Sequence, residues 1–213
     1  MAENKELYDA IITGNTPQAV EVCKTAVASG QNANELLQES MIPAMGEVGR
    51  RFECNEFFVP ELLIAARAMK AALEVLTPHL ASAGAVSKGR VVIGTVQGDM
   101  HDIGKNLVAS MLEGGGFDVV DLGVDVPPEK FVAAVTEQPG SVIALSALLT
   151  TTMGVMKTVI EAVEAAGIRD ATKIMIGGAP VTQEFADEIG ADGYSDNASA
   201  AVKLASSLVG AEG

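Results

Sequence analysis

Cysteine is scarce in this chain. Cys23 and Cys54 are the only two in 213 residues, and no Cys-x-x-Cys spacing occurs. That excludes a disulfide framework and a cysteine-based structural zinc, and it fits a reducing compartment. Both cysteines are expected to be packing residues. Basic side chains are also few, 14 Lys and Arg against 28 Asp and Glu, for a net charge of −14. Such a field repels phosphate backbones and anionic membrane surfaces, so no nucleic acid and no membrane is expected as a partner. Only Arg50-Arg51 is locally basic, and it reads as a solvated helix face. No stretch reaches the roughly 18 apolar residues that a spanning helix needs. The opening Met-Ala-Glu-Asn-Lys-Glu has no basic stretch running into an apolar one. A soluble, cytoplasmic protein is the expectation. What the chain does have is 48% hydrophobic residues, enough for one ordinary core and a smaller second unit.

The two halves are patterned differently. Up to about residue 82 apolar residues recur at helical spacing, as in Leu36, Leu37, Met41 and then Met45, Val48, Phe52. Pro43 and Pro60 suit first helical turns, where a missing N–H costs little, so they predict helix starts near Ile42 and Val59, the latter helix running to about Leu80. Small residues and two glycines over Ala81–Gly89 predict a linker, giving a helical domain over 1–86 and a second domain over 89–213. From Arg90 onward, short β-branched runs alternate with helical stretches, the pattern of a parallel sheet covered on both faces. Strands are predicted at Val91–Val96, Phe117–Leu122, Val142–Ser146, Lys173–Ile176 and Gly193–Ser195. The fold class is therefore α/β: a helical bundle followed by a five-stranded open sheet. Five β-α units most often take the flavodoxin-like, Rossmann-type order 2-1-3-4-5, with a ligand crevice beyond the carboxyl ends of strands 1 and 3.

The residues with chemistry to offer lie at those strand ends. After strand 1 the chain reads Gly98-Asp99-Met100-His101-Asp102-Ile103-Gly104-Lys105-Asn106, which puts an imidazole at the crevice between carboxylates. Asp99, two residues before His101, is close enough on a tight turn to accept from one ring nitrogen and so free the other as a metal ligand. The same loop also suits a surface histidine beside helix-capping aspartates, and by itself it does not separate the two. Strand 3 runs into Ser146-Ala147-Leu148-Leu149-Thr150-Thr151-Thr152, whose hydroxyls could serve a ligand or cap the next helix. Strand 4 ends at Gly177-Gly178, which could admit a bulky ligand to the backbone or simply make a turn.

Together these elements resemble the D-x-H-x-x-G, S-x-L, G-G signature of cobalamin-binding domains, on Asp99-Met100-His101-Asp102-Ile103-Gly104, Ser146-Ala147-Leu148 and Gly177-Gly178. The gaps agree too: Lys105 to Leu145 is 41 residues and Leu149 to Ile176 is 28. The resemblance implies a cobalamin, as methylcobalamin or cob(I)alamin or a related corrinoid, whose dimethylbenzimidazole leaves cobalt while His101 takes its place. It implies a cofactor-binding set of Gly98, Asp99, Met100, His101, Asp102, Ile103, Gly104, Ser146, Leu148, Thr150, Thr152, Gly177 and Gly178, with Ser146, Leu148 and Thr150 lining the groove for the displaced base. Methionine synthase members link the histidine to that Asp and to a Ser six residues after the Ser of S-x-L. Here these positions are Asp99 and Thr152, a departure that keeps the hydroxyl and adds a methyl. Asp102 also suits a helix cap.

In the helical half, Gly46-Glu47-Val48-Gly49-Arg50-Arg51-Phe52, Phe57-Phe58-Val59-Pro60-Glu61-Leu62-Leu63 and Ala65-Ala66 resemble the four-helix cap of cobalamin-dependent methyltransferases. Phe58 and Leu62 are the candidates to cover the upper side of the corrin, although apolar residues at helical spacing also suit plain core. With both modules the chain is similar to the corrinoid proteins of methylamine, methanol and methoxy-compound demethylation. The implied role is methyl carriage between a substrate:corrinoid methyltransferase and a methylcorrinoid:acceptor methyltransferase, with a reductive activation protein as third partner. No catalytic residue is expected in this chain, because the cofactor does the bond making. A cobalamin-dependent sensor or regulatory module would want a basic DNA-binding head, which is not seen. The small subunit of a cobalamin-dependent mutase would lack such a cap. A phosphorylation receiver of the same fold would want an aspartate where Ser146 stands.

Overall fold

The computed structural model describes residues 4–83 and 87–210. They form two compact units, one of residues up to Ser87 together with Glu113–Gly116, the other of Lys88–Leu112 and the chain from Phe117 onward. Residues 84–86 of the expected linker lie outside the described residues. Among the described residues no helix is long and apolar enough to cross a membrane.

The helical unit contains α1 (Lys5–Ile12), α2 (Thr16–Ala28), α3 (Ala33–Leu36), α4 (Ile42–Glu53) and α5 (Val59–Ala83). Asn4, Asn15 and Asn32 cap the first three by accepting from the backbone N–H of Leu7, Gln18 and Asn34. Leu7, Ile11, Met41, Leu62, Met69 and Leu76 are fully buried. Pro60 lies in the first turn of α5, as expected. Pro43 lies in the first turn of α4, as expected, but no break precedes it: a π-turn, Leu37–Met41, joins α3 to α4, and Leu36, Leu37, Met41 and Ile42 all keep right-handed helical backbone. The wider turn sits where proline leaves the carbonyl of residue 39 without its usual N–H and would crowd it. The two cysteines part company. Cys23 is buried, and burial pushes its thiol up to about 11. Cys54 is exposed at the end of α4 and is not a packing residue.

Arg50 and Arg51 are paired. Glu47 accepts from Arg50 Nε at 2.7 Å and from Arg51 Nε at 2.8 Å, and the Arg51 guanidinium lies 5.2 Å from the centre of the Phe57 ring. Hydrogen bonds from Arg50 and then Arg51 lower the Glu47 carboxyl from 4.5 to about 2. A carboxylate depressed in the folded state stabilises above its unfolded value and loses that contribution as pH falls through the folded one. Because Arg50 is half exposed, the gain is that of a surface network, about 0.5–1 kcal/mol. Glu47→Gln should lower the unfolding free energy by about that much at neutral pH. It should also flatten the acid limb between about pH 4.5 and 2, as read by urea unfolding at several pH values.

The second unit is a parallel sheet of β1 (Arg90–Thr95), β2 (Asp118–Asp121), β3 (Val142–Ser146), β4 (Lys173–Gly177) and β5 (Gly193–Ser195). Its order is β2-β1-β3-β4-β5, as expected. The strands connect through α6 (Ile103–Gly114), α7 (Pro128–Thr136), α8 (Met153–Ala165) and α9 (Gln183–Ile189), and α10 (Ala198–Leu208) follows β5. Period-two alternation sends successive residues to opposite faces. Val92, Ile143, Leu145, Ile174 and Ile176 pack with Phe131 of α7 and Met156, Val159 and Ile160 of α8. Val91, Ile93, Val142, Ala144 and Met175 pack with Ala109 and Leu112 of α6 and Ala201 and Ala205 of α10.

Candidate functional site

Strand register assembles the site. Thr95, Ser146, Gly177 and Ser195 are partners across β1, β3, β4 and β5, a single row at the carboxyl edge of the sheet. The three motif loops leave β1, β3 and β4 from this row side by side, which is how segments about 40 and 30 residues apart in sequence come together.

Asp99 ties the first two loops into one body. It has no exposed surface, and both its oxygens are fully engaged. Oδ1 accepts from the His101 backbone N–H at 3.1 Å and lies 2.8 Å from His101 Nδ1. Oδ2 accepts from the backbone N–H of Leu148 at 2.8 Å and of Leu149 at 3.2 Å, and from the Thr152 hydroxyl at 2.9 Å. Burial on its own raises the carboxyl, but the Leu148 and His101 amides, the His101 ring and the Thr152 hydroxyl outweigh it and hold Asp99 well below the usual carboxylate range. An ionised carboxylate can only accept, so His101 Nδ1 carries the proton toward it and Nε2 is left with a lone pair. The extra methyl of Thr152 does not break the link; the Cγ2 atom lies toward Gly98, 3.6 Å from where a β-carbon there would stand.

Around the half-exposed imidazole the surface is apolar, which is unusual for a loop. Met100 is 69% exposed and Ile103 80%, and Leu148 and Leu149 are each 41% exposed. A β-carbon at Gly104 would meet nothing within 4 Å, so the protein itself does not require that glycine, and the space beside it is open. Gly178 is different: its φ is +134° and a β-carbon would stand 1.9 Å from the Ala147 carbonyl oxygen, so only glycine lets the β4 loop pass the β3 loop. Gly177 is less constrained: a β-carbon there would stand 3.1 Å from the Ser195 carbonyl oxygen, a tight contact that a small shift relieves. Ser146 is partly buried at the end of β3 and Thr150 is exposed beyond it. Asp102 accepts from the Asn106 side chain at 3.1 Å, one turn into α6. On the helical unit Phe58 is 60% exposed, but Leu62 has no exposed surface and presents no face to a ligand.

Three residues of this edge were invisible in the sequence pattern. Thr95 is buried, and its hydroxyl donates to the His101 carbonyl at 2.8 Å. Asp125 accepts from the Gly98 backbone N–H at 2.7 Å. Lys105, buried in the first turn of α6, donates to Asp121 and to Asn106. Asp121 offsets both the cost of burying that ammonium and the unfavourable helix end on which it sits.

An oriented imidazole with a free nitrogen, an apolar rim and backbone bared by glycines fit a large, apolar-faced macrocycle that brings its own metal. Residues 89–203 match the family model described as "B12 binding domain", and residues 3–77 match a second model of the same description. The chain belongs to the B12 binding domain family. Its cofactor is accordingly a cobalamin or a related corrinoid. The chain is 46% identical over 204 residues to trimethylamine corrinoid protein 1 of Methanosarcina acetivorans, covering 93% of this chain and 94% of that one. It is 42% identical over 206 residues to the dimethylamine corrinoid protein of Methanosarcina barkeri, covering 96% of both. Among solved structures of B12-binding proteins, it superposes with a TM-score of 0.84 and 33% identity on the methanol:cobalamin methyltransferase complex MtaBC from M. barkeri, over 97% of this chain and 79% of that one. A cobalamin-binding protein from Desulfitobacterium hafniense DCB-2 gives a TM-score of 0.78 and 34% identity over 95% and 96% of the two chains.

Proposed function

We propose that this protein is a methyl carrier that holds its corrinoid with the cofactor's own base displaced and His101 Nε2 as the lower ligand to cobalt. The observation that carries the reading is the Asp99–His101 pair: a fully buried, ionised carboxylate 2.8 Å from Nδ1 leaves only Nε2 able to ligate. When bound, the corrinoid supplies a cobalt centre that accepts a methyl group from one partner and yields it to the next. The chain's own residues bind and orient. Asp99 fixes the imidazole tautomer, and Thr152 with the Leu148 and Leu149 amides fixes Asp99. Met100, Ile103 and Leu148 offer apolar contact, and Ser146, Thr150, Gly177 and Gly178, at the carboxyl ends of β3 and β4 and in the loops beyond, would lie beside the displaced base. Asp102 holds Asn106 one turn into α6, Gly104 leaves open space beside the imidazole for the ligand, and Gly98 makes the turn before His101.

None of these groups needs to act as a general acid or base, so the bond making is left to the cofactor and the partners. The partners are a substrate:corrinoid methyltransferase, a methylcorrinoid:acceptor methyltransferase and a reductive activation protein. The names of the relatives, which include corrinoid proteins for tri- and dimethylamine, support carriage of this kind. The test is to load the protein with reduced corrinoid and incubate it with a methylamine:corrinoid methyltransferase and radiolabelled methylamine. Label should stay with the protein in proportion to bound corrinoid and leave it when an acceptor methyltransferase and its thiol are added. Retention of no label with methylamines, with methanol or with methoxy compounds, each supplied with its own corrinoid methyltransferase, would refute carriage.

A further inference from the structure

We propose that Asp125 is a positioning residue for the cobalt ligand, acting through the backbone that carries Asp99. The inference rests on the reading of His101 as that ligand. Asp125 lies in the segment between β2 and α7, and its φ is +53°, a conformation that glycine and, less readily, Asn and Asp adopt. A turn needing only that backbone would be cheaper with glycine, so the carboxylate has to return something. It accepts from the Gly98 N–H at 2.7 Å, while the Asp125 N–H donates to the Asp99 carbonyl at 3.0 Å. The two bonds are reciprocal, and they grip the peptide units on either side of the Gly98–Asp99 pair. Gly98 itself is at φ +83°, in the region where a backbone without a β-carbon is least restrained. Unclamped, it is the natural pivot of the loop.

The clamp has a rigid base. Thr95 donates its N–H to the Gly123 carbonyl and accepts from the Val126 N–H, each at 3.0 Å, and Val96 bridges to Val126 in parallel. Residues 123–126 therefore extend the β1–β2 pairing past the end of the strands, and Asp125 sits on that extension. Asp99 in turn places His101 from both its backbone and its ring. A shift at Gly98 would swing the Asp99 carboxylate away from the Leu148 and Leu149 amides and carry the imidazole with it.

The substitutions that separate positioning from mere turn formation are Asp125→Gly, which relieves the backbone and removes the acceptor, and Asp125→Asn, which keeps an acceptor oxygen and tolerates the conformation. In the apo protein, Asp125→Gly should retain the wild-type circular dichroism. It should speed amide exchange of Gly98 by about tenfold or more, the size of a lost charge-assisted hydrogen bond, without changing Val92 and Ile93 in β1. Its affinity for hydroxocobalamin should fall about tenfold, the low end for groups that orient a metal ligand, and the axial histidine nitrogen signal of the cobalt(II) form should become heterogeneous. Asp125→Asn, which keeps a neutral acceptor but loses the charge assistance, should stay within about threefold of wild type in affinity and Gly98 exchange. Wild-type affinity in Asp125→Gly, an equal loss in Asp125→Asn, or unfolding of Asp125→Gly would each overturn the proposal. Failure of the wild type to bind hydroxocobalamin would strike the underlying reading of the site instead, and the exchange rates of the apo protein would still decide whether the clamp exists.

Discussion

His101→Ala should bind hydroxocobalamin at least about 100-fold more weakly than the wild type while the apo protein stays folded. Loss of a group that merely orients a metal ligand costs about 10–100-fold, so removing the ligand itself belongs at or beyond the upper end. Folding should be spared because the imidazole is half exposed and, among the described residues, its polar partner is Asp99. In the variant Asp99 keeps the residue-101 backbone N–H, the Leu148 and Leu149 amides and the Thr152 hydroxyl, so no buried carboxylate is stranded. Spectral titration with hydroxocobalamin measures the first effect and thermal unfolding of the apo protein the second. An affinity within about threefold of wild type, well inside the spread for orienting groups, would mean that binding rests on the macrocycle's edges alone.

Asp99→Asn is the second large effect, and its cause is donor counting. Every group around the Asp99 carboxylate donates: two N–H groups and a hydroxyl toward Oδ2, one N–H and the His101 ring toward Oδ1. An amide offers one accepting oxygen and one donating nitrogen, so one side must face donors with a donor. If the NH2 turns toward Leu148 and Leu149, two buried amides lose their acceptor, at a cost of about 2–3 kcal/mol. If it turns toward His101, the ring can satisfy it only as the Nε2–H tautomer, which has no lone pair left for cobalt. Either way affinity for the corrinoid should drop about 10–100-fold. Nitrogen-15 NMR of labelled histidine in the apo protein reports the tautomer directly: Nδ1–H for His101 in the wild type, a mixture or Nε2–H in Asp99→Asn. Thr152→Val should do much less, near 1 kcal/mol in stability, because Oδ2 keeps both amides. Equal losses in the two variants would show that the hydroxyl matters as much as the charge.

The sheet was legible because β1 to β4 are short runs rich in Val and Ile between glycine-rich or proline-rich breaks, and order 2-1-3-4-5 follows from right-handed β-α-β crossovers with one reversal. His101 and Asp99 were legible for a local reason: a turn brings residues two apart within hydrogen-bond reach, and the spacing of the other motif residues matched the strand ends. What the sequence left out is long in range or ambiguous in chemistry. Asp125 meets Gly98 across 27 positions, its carboxylate accepting from a backbone N–H that carries no sequence signal. Thr95 fills a strand position that any β-branched residue suits, so the use of its hydroxyl on His101 cannot be read from its type. Pairing Phe58 with Leu62 assumed one helix face, but α5 begins only at Val59, and a residue at the helix boundary does not share the direction of the face one turn on. Pro43 marks the first turn of α4, but the π-turn that carries the chain into it from α3 without a break has no sequence signal.

The most direct measurement is electron paramagnetic resonance of the cobalt(II) form of the corrinoid-loaded protein, prepared with natural-abundance and with nitrogen-15 histidine. His79, the other histidine, lies in α5 of the helical unit. With His101 on cobalt, the axial hyperfine pattern should change with the nitrogen isotope in the wild type and show no histidine nitrogen in His101→Ala. A wild-type spectrum indifferent to histidine labelling would contradict ligation by His101 and leave the cofactor's own base on the metal.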